Sequence, residues 1–346
     1  MKLKIGKGIK FRGQSLYVKV GTDELFVLDT IRSFNCYYHK SRNMWELPRA
    51  AFKTILDKCS DCEITIYGKL PKEQEQYLQL LEKYDVGPAM YSSKTTPYSY
   101  QMESFQFSVE HNKFLLADEQ GLGKTKQALD IAVSKKNQMK HCLIVCGVNE
   151  LKWNWVKEVA VHTNEQAHIL GEHEGKIGSV NERLTDLGKD HSEFFLITNI
   201  ETLRDANIQV KIKTMCQAGV IGMTIIDEIH KCKNPTSKQG KAIHCCCSYY
   251  KLALTGTPIM NAAIDLYNVL KWLEVENHTL TQFKNHYCIM GGFGGYQIVG
   301  YKNLDKLHNR LNKYMLRRRK QDVLDLPPKI YTDELLEMDT IQQKIY

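Results

Sequence analysis

The stretch Phe114-Leu115-Leu116-Ala117-Asp118-Glu119-Gln120-Gly121-Leu122-Gly123-Lys124-Thr125 passes from four apolar residues into a glycine-spaced turn. Lys126-Gln127-Ala128-Leu129-Asp130-Ile131-Ala132 then follows with helical spacing. A buried strand that feeds a helix through Gly-x-Gly-Lys-Thr suits phosphate binding. Its glycines let backbone N–H groups approach the oxygens, and the helix N-terminus adds partial positive charge. Lys124 is then placed to reach the β and γ phosphates of a nucleotide, and the Thr125 hydroxyl to ligate Mg²⁺. Asp118 stands where the usual pattern has its first glycine, so the strict motif fails at that one position.

About a hundred residues on, Thr224-Ile225-Ile226-Asp227-Glu228-Ile229-His230 sets two acids at the end of another apolar run. Asp227 is expected to help hold the magnesium, and Glu228 to orient and deprotonate an attacking water. Further apolar runs lie at Cys142-Leu143-Ile144-Val145-Cys146, Phe194-Phe195-Leu196-Ile197 and Lys251-Leu252-Ala253-Leu254. Strands buried on both faces read in this way, so the spacing predicts an α/β domain whose mainly parallel sheet is flanked by helices. Loops at the strand ends are where such folds place ligands.

Residues before the P-loop strand are patterned differently. Residues 1 to about 68 alternate in short strand-like pieces, including Gln14-Ser15-Leu16-Tyr17-Val18-Lys19-Val20 and Glu63-Ile64-Thr65-Ile66-Tyr67. Helical stretches are expected from Pro48 to Lys58 and from Pro71 to Lys83. The expected organisation is a small strand-rich α+β domain at 1–90, a linker at 91–97, the α/β domain at 98–330 and a connecting segment at 331–346. The 346 residues allow two cores, and no apolar run approaches the ~18 residues that span a bilayer. The net charge of +8 favours a polyanionic partner, for which Lys2, Lys4, Lys7, Lys10, Arg12 and Lys19 are candidate contacts. The 11 cysteines are scattered, with a run at Cys245-Cys246-Cys247, and fit a reducing compartment better than a disulfide scaffold. Cys36, His39, Cys59 and Cys62 have zinc-like local spacing, but strand alternation would send Cys36 and His39 to opposite faces; metal analysis separates the two readings.

In combination these blocks resemble the first motor lobe of SNF2-like ATPases in helicase superfamily 2. Leu116 to Thr125 resembles their motif I, and Asp227-Glu228-Ile229-His230-Lys231-Cys232-Lys233-Asn234 their motif II. Tyr100-Gln101 sits at the place of the adenine-reading glutamine. Leu151-Lys152-Trp153-Asn154-Trp155-Val156-Lys157-Glu158 resembles motif Ia, Thr198-Asn199-Ile200-Glu201 motif Ib, and Leu254-Thr255-Gly256-Thr257-Pro258-Ile259-Met260-Asn261 motif III. Met315-Leu316-Arg317-Arg318-Arg319-Lys320-Gln321-Asp322-Val323 with Leu326-Pro327 is similar to the segment that leads out of that lobe. Tyr38-His39-Lys40-Ser41-Arg42-Asn43-Met44-Trp45-Glu46-Leu47-Pro48 with Phe52 resembles HARP-type domains, and Tyr287 to Asn303, with Tyr296, looks like the same annealing or fork-remodelling branch. Tyr98 departs from the family, many of whose members carry an arginine there.

The resemblance implies a RecA-like fold, ATP and Mg²⁺ as cofactors, and DNA, branched or duplex, as partner. It places ATP at Gln101, Asp118, Gly121, Leu122, Gly123, Lys124 and Thr125, and magnesium at Thr125 and Asp227. Catalysis falls to Lys124, Asp227 and Glu228, and coupling to His230, Thr255, Gly256 and Thr257. DNA is expected across Asn149, Trp153, Thr198, Asn199, Lys233 and Ser237, where amides, hydroxyls and positive charge grip phosphates without reading bases. Trp153 and Trp155 read equally as core, and Arg317 to Lys320 equally as a solvated helical face or a segment leading away from the lobe. The second lobe's arginine motif has no counterpart up to Tyr346, so this chain alone is expected to hydrolyse ATP slowly. The implied location is cytoplasmic in a prokaryote or virus-infected cell, or nuclear in a eukaryote. Rival readings are a restriction-type translocase subunit, an RNA helicase, or a nucleic-acid-binding scaffold with a vestigial nucleotide site.

Overall fold

The computed structural model describes residues 2–5, 15–20, 31–32, 36–48, 63–67, 91, 93–257, 262–295 and 297–325. Of the helices expected at 48–58 and 71–83 only Pro48 is described, and it ends a strand; the rest lies outside those residues, as do Lys7, Lys10, Arg12, Cys59, Cys62, Pro258 to Asn261, Tyr296 and the segment 326–346.

The N-terminal pieces form one five-stranded sheet from β1 (Lys2–Ile5), β2 (Ser15–Val20), β3 (Tyr37–His39), β4 (Met44–Pro48) and β5 (Glu63–Tyr67), in the order β1-β5-β2-β4-β3. Only β1 and β5 pair parallel; the other neighbours are antiparallel. Asn43, at φ 51°, turns the chain between β3 and β4, and the Tyr38 hydroxyl donates to its Oδ1 at 2.6 Å. His39 Nε2 lies 2.7 Å from Glu46 Oε2, an engagement that competes with a metal-ligand role for this ring.

The second sheet has seven strands, in the order β16-β6-β13-β12-β7-β11-β8, all pairing parallel. Its members are β6 (Lys113–Leu116), β7 (His141–Cys146), β8 (Ala167–Ile169), β11 (Phe195–Asn199), β12 (Ile221–Ile226), β13 (Tyr250–Leu254) and β16 (Met315–Leu316). Two small antiparallel hairpins, β9–β10 (Glu172–His173, Lys176–Ile177) and β14–β15 (Cys288–Gly291, Gln297–Tyr301), stand apart from it. Strand alternation explains why the central strands look apolar throughout. Phe114, Leu116, Ile144, Ile197 and Leu252 face one core, and Leu115, Ala117, Leu143, Leu196 and Ala253 face the other.

The first core is closed by α1 (Ser99–Glu110), α2 (Lys124–Ser134) and α3 (Leu151–His162) through Met102, Phe105, Leu129 and Trp155. The second is closed by α5 (Ala206–Gln217) and α7 (Leu266–Trp272) through Ile208, Ile212 and Trp272, with α4 (Val180–Asp186) and α6 (Lys238–Ala242) at its edges. Helices α8 (Leu280–Tyr287) and α9 (Leu304–Leu311) pack Phe283, Tyr287 and Leu307 against Leu266, before the short α10 (Lys320–Val323). The segment expected as a linker packs on this lobe. Tyr91 is buried against Phe105 and its hydroxyl donates to Asp130 at 2.6 Å, while Lys94 reaches the Ala160 carbonyl at 2.6 Å. No helix of the described residues is long and apolar enough to cross a membrane.

Candidate nucleotide site

The blocks at Asp118 to Thr125, Thr198 to Glu201, Asp227 to Asn234 and Thr255 to Thr257 fall at the C-terminal ends of parallel strands, so the fold gathers them along one edge. The P-loop leaves β6 and turns on Gly121 and Gly123, at φ 87° and 69°, where an L side chain is strained. Gly123 is the N-cap of α2, and no side chain caps that helix, which leaves its first amides for a ligand. Close approach also demands Gly123, because a Cβ there would lie 2.7 Å from Gln101 Nε2. Gln101 is buried; its Oε1 accepts from the Tyr98 amide at 3.0 Å and its Nε2 donates to the Leu122 carbonyl at 3.5 Å. The expected adenine reader therefore braces the P-loop in this structure, and Tyr98, where the family often has arginine, stacks an exposed ring on Tyr100.

Lys124 Nζ donates to the carbonyls of Asp118 at 2.9 Å and Glu119 at 3.3 Å, and Thr125 is half-buried in the same turn. Opposite, Asp227 Oδ2 accepts from Trp155 Nε1 at 3.1 Å and Oδ1 from the Glu228 amide at 2.9 Å. Trp155 is thus core and site at once, joining α3 to the acidic pair. Burial pushes Lys124 below the usual ammonium range despite Glu228, Asp118 and Asp227, and pushes Asp227 above the usual carboxylate range despite Trp155. A triphosphate with a divalent cation, if bound here, would oppose both effects, since each buried charge would then meet its opposite. The Thr125 hydroxyl and the Asp227 carboxylate are hard oxygen donors, which fits magnesium.

Glu228 holds φ 50° and ψ 46°, a left-handed conformation that costs a non-glycine residue energy and is concentrated at functional sites. Its Oε2 lies 3.1 Å from His230 Nδ1, and the same ring nitrogen lies 3.0 Å from Thr255 Oγ1. Thr255 Oγ1 in turn accepts from the Thr257 amide at 3.1 Å. A Cβ on Gly256 would stand 3.6 Å from Lys124 Nζ. One connected path therefore runs from the acidic pair through His230 to the loop after β13, which returns to the P-loop lysine.

The residues expected at the DNA divide into two groups. Asn149 and Trp153 are exposed, Lys233 pairs with Asp265 at 2.9 Å, and Ser237 caps α6 by accepting from the Gly240 amide at 3.0 Å. Thr198 and Asn199 are buried at 2% and 4% exposure, which corrects their expected place on the surface. Asn199 donates to Glu201 Oε2 at 2.7 Å and accepts from the Thr202 hydroxyl, so it shapes the turn after β11.

Asp118 also differs from expectation. It is fully buried, and instead of facing a nucleotide its carboxylate takes Arg318 Nε at 3.0 Å and Arg318 Nη2 at 2.6 Å. Neither a solvated helical face nor a segment departing from the lobe describes residues 315–320. Met315 and Leu316 add a parallel strand beside β6, and the extended backbone turns Arg318 inward between exposed Arg317 and Arg319. Gly147 was missed as well: a Cβ there would lie 2.7 Å from Glu228 Cβ. A lone glycine after a strand gave no signal of what it faces.

Residues 37–346 match the SNF2-related domain over most of the chain. The chain belongs to that family. As an SNF2-related domain it is 26% identical over 295 residues to the CHD3-type chromatin-remodeling factor CHR7 of Arabidopsis thaliana, with 79% of this chain and 22% of that protein covered. It is 28% identical over 271 residues to the DNA annealing helicase and endonuclease ZRANB3 of Bos taurus, covering 74% and 23%. The SNF2-related domain thus spans less than a quarter of the length of these relatives. The Sulfolobus solfataricus SWI2/SNF2 ATPase core, solved in complex with dsDNA, shares the fold with a TM-score of 0.51 at 24% identity, over 66% of this chain and 46% of that one.

Proposed function

We propose that this SNF2-family ATPase domain couples ATP hydrolysis to movement along duplex or branched DNA. The observation that carries the reading is the single connected site in which Lys124, Asp227, Glu228, His230 and Thr255 meet at the strand ends. Lys124 and the uncapped start of α2 bind the β and γ phosphates, Gln101 borders the base, and Glu228 takes the proton of the attacking water. Thr125 and Asp227 would hold magnesium, which would supply positive charge against the negative charge that develops on the phosphate. His230 touches Glu228 and Thr255 with one nitrogen, so a change in Glu228 as water is consumed is felt at the loop after β13. Exposed Asn149 and Trp153, with Lys233 and Ser237, would border the nucleic acid; positive charge and amides suit its backbone over its bases. The N-terminal sheet is assigned to selecting forks or junctions, in keeping with its HARP-like sequence.

Nucleotide binding and DNA-stimulated phosphate release test this. Lys124→Ala abolishes binding, whereas Glu228→Gln binds nearly as the parent and, in a protein that also carries a second motor lobe, loses about 10²-fold or more in turnover. A Glu228→Gln protein that kept more than about a tenth of the parental rate would remove Glu228 as the base. Stimulation by duplex RNA equal to that by forked DNA would move the reading to an RNA helicase. Deleting residues 1–90 should weaken fork binding, and less so at high salt.

A further inference from the structure

We propose that Arg318 is a positioning residue of the nucleotide site, which sets the shape of the P-loop and of the helix bearing Gln101. The inference rests on reading that loop as the ATP site.

A carboxylate at position 118 is an odd choice for the start of a phosphate loop, because it is buried and negative where an anion is to bind. Arg318 resolves this by using every donor it has. Nε and Nη2 hold Asp118 in a two-pronged pair, and the Arg318 amide adds a third bond to Asp118 Oδ1 at 3.1 Å. Nη2 also reaches Ser104 Oγ at 2.6 Å and Gln127 Oε1 at 2.8 Å. Nη1 donates to the Tyr100 carbonyl and to Glu103 Oε2, the latter at 3.3 Å. One side chain thereby joins α1, next to Gln101, to the first residue of the P-loop and to α2.

Gln127 extends the hold, since its Nε2 donates to Asp118 Oδ2 at 3.1 Å and to the Leu122 carbonyl at 2.9 Å, at the two ends of the turn. The neighbouring backbone follows the loop residue by residue. The Arg318 carbonyl accepts from the Glu119 amide at 3.0 Å, and the Lys320 amide donates to Glu119 Oε2 at 2.8 Å. The Lys320 side chain lies over Gly121, where a Cβ would meet its Cε at 3.0 Å. A planar five-donor fork is needed for this set; lysine, with three donors on a point charge, cannot reproduce it. The nucleotide pocket is therefore held in register by a segment 200 residues away in sequence.

The test is the affinity of the full chain for Mg·ADP, measured by calorimetry with circular dichroism as a check on folding. Arg318→Lys should weaken binding about tenfold or more. The double variant Asp118→Asn with Arg318→Gln leaves no buried charge unpaired, and it should show a similar loss while melting close to the parent. A folded double variant that binds within about threefold of the parent would show the pair to be structural only and overturn the proposal. Should both variants fail to fold, hydrogen exchange on the parent decides. Mg·ADP should slow exchange at the Glu119 amide and across residues 316–320, and unchanged exchange there overturns the proposal equally. Lys124→Ala keeps the two readings apart, because normal Mg·ADP binding by that variant counts against the ATP site itself.

Discussion

Gly147→Ala isolates the geometry of the catalytic carboxylate. Gly147 lies outside the left-handed region, so alanine meets no backbone strain and the whole effect comes from one added methyl. That methyl would stand 2.7 Å from Glu228 Cβ, 3.3 Å from its Cγ and 3.3 Å from the Asp227 carbonyl. Ordinary carbon contacts begin near ~3.5 Å, so Glu228 must retreat by roughly 0.5 to 1 Å. It has little room to do so in a strained conformation held by His230. Displacement of about 1 Å at a reacting group costs on the order of 10²-fold in rate, and overpacking destabilises by about 1–3 kcal/mol. Single-turnover hydrolysis with saturating DNA should therefore fall by about 10- to 100-fold, with nucleotide affinity nearly unchanged, since Lys124 and the P-loop are untouched. Hydrolysis within about threefold of the parent would refute the idea that Gly147 fixes Glu228.

Trp155→Phe should keep the packing of α3 but strip Asp227 of its indole donor, at a cost of roughly 1.5–3 kcal/mol for a bond to a charged group. Hydrolysis titrated with magnesium should then need a different metal concentration, and an unchanged titration would detach Trp155 from the site. Lys152 is buried on the same helix, and burial, reinforced by Arg183 against Cys146 and Glu201, lowers its pKa from 10.5 to about 8. Below pH 8 its buried charge opposes folding in full, and the penalty disappears as pH rises toward 10.5, because the unfolded chain binds the extra proton only in that window. Lys152→Met should accordingly raise the melting temperature most at pH 7 and lose that advantage by about pH 10; a gain independent of pH would place the effect in packing alone.

Much of the lobe could be read from its residues because β7, β11, β12 and β13 are buried on both sides and carry apolar runs of three or more residues, with their few polar members, such as His141, Asn199 and Lys251, at or near the strand ends. The glycines and the acidic pair were legible for the same local reason, each lying within a few residues of a strand end. What escaped notice depends on partners distant in sequence. Asp118 and Arg318 look like a loop acid and one of four consecutive cations until the fold brings them together. β16 is two residues long, too short for any period to show, and β8 contains a histidine that breaks the apolar pattern. Thr198 and Asn199 looked like surface hydroxyl and amide groups, yet a polar side chain can equally be spent on closing its own turn.

Strand β6 has a particular consequence for how the lobe is made. It pairs only with β13 and β16, which lie well over a hundred residues downstream, although its own chain neighbours are helices. During synthesis from the N-terminus, β7, β11 and β12 can assemble first, while the strand carrying the phosphate loop waits with both edges open until residues 250–254 leave the ribosome. The Arg318 fork closes later still. Nucleotide capture by a nascent chain would thus report completion of the lobe, and chaperones would meet this protein chiefly through the waiting edges of β6.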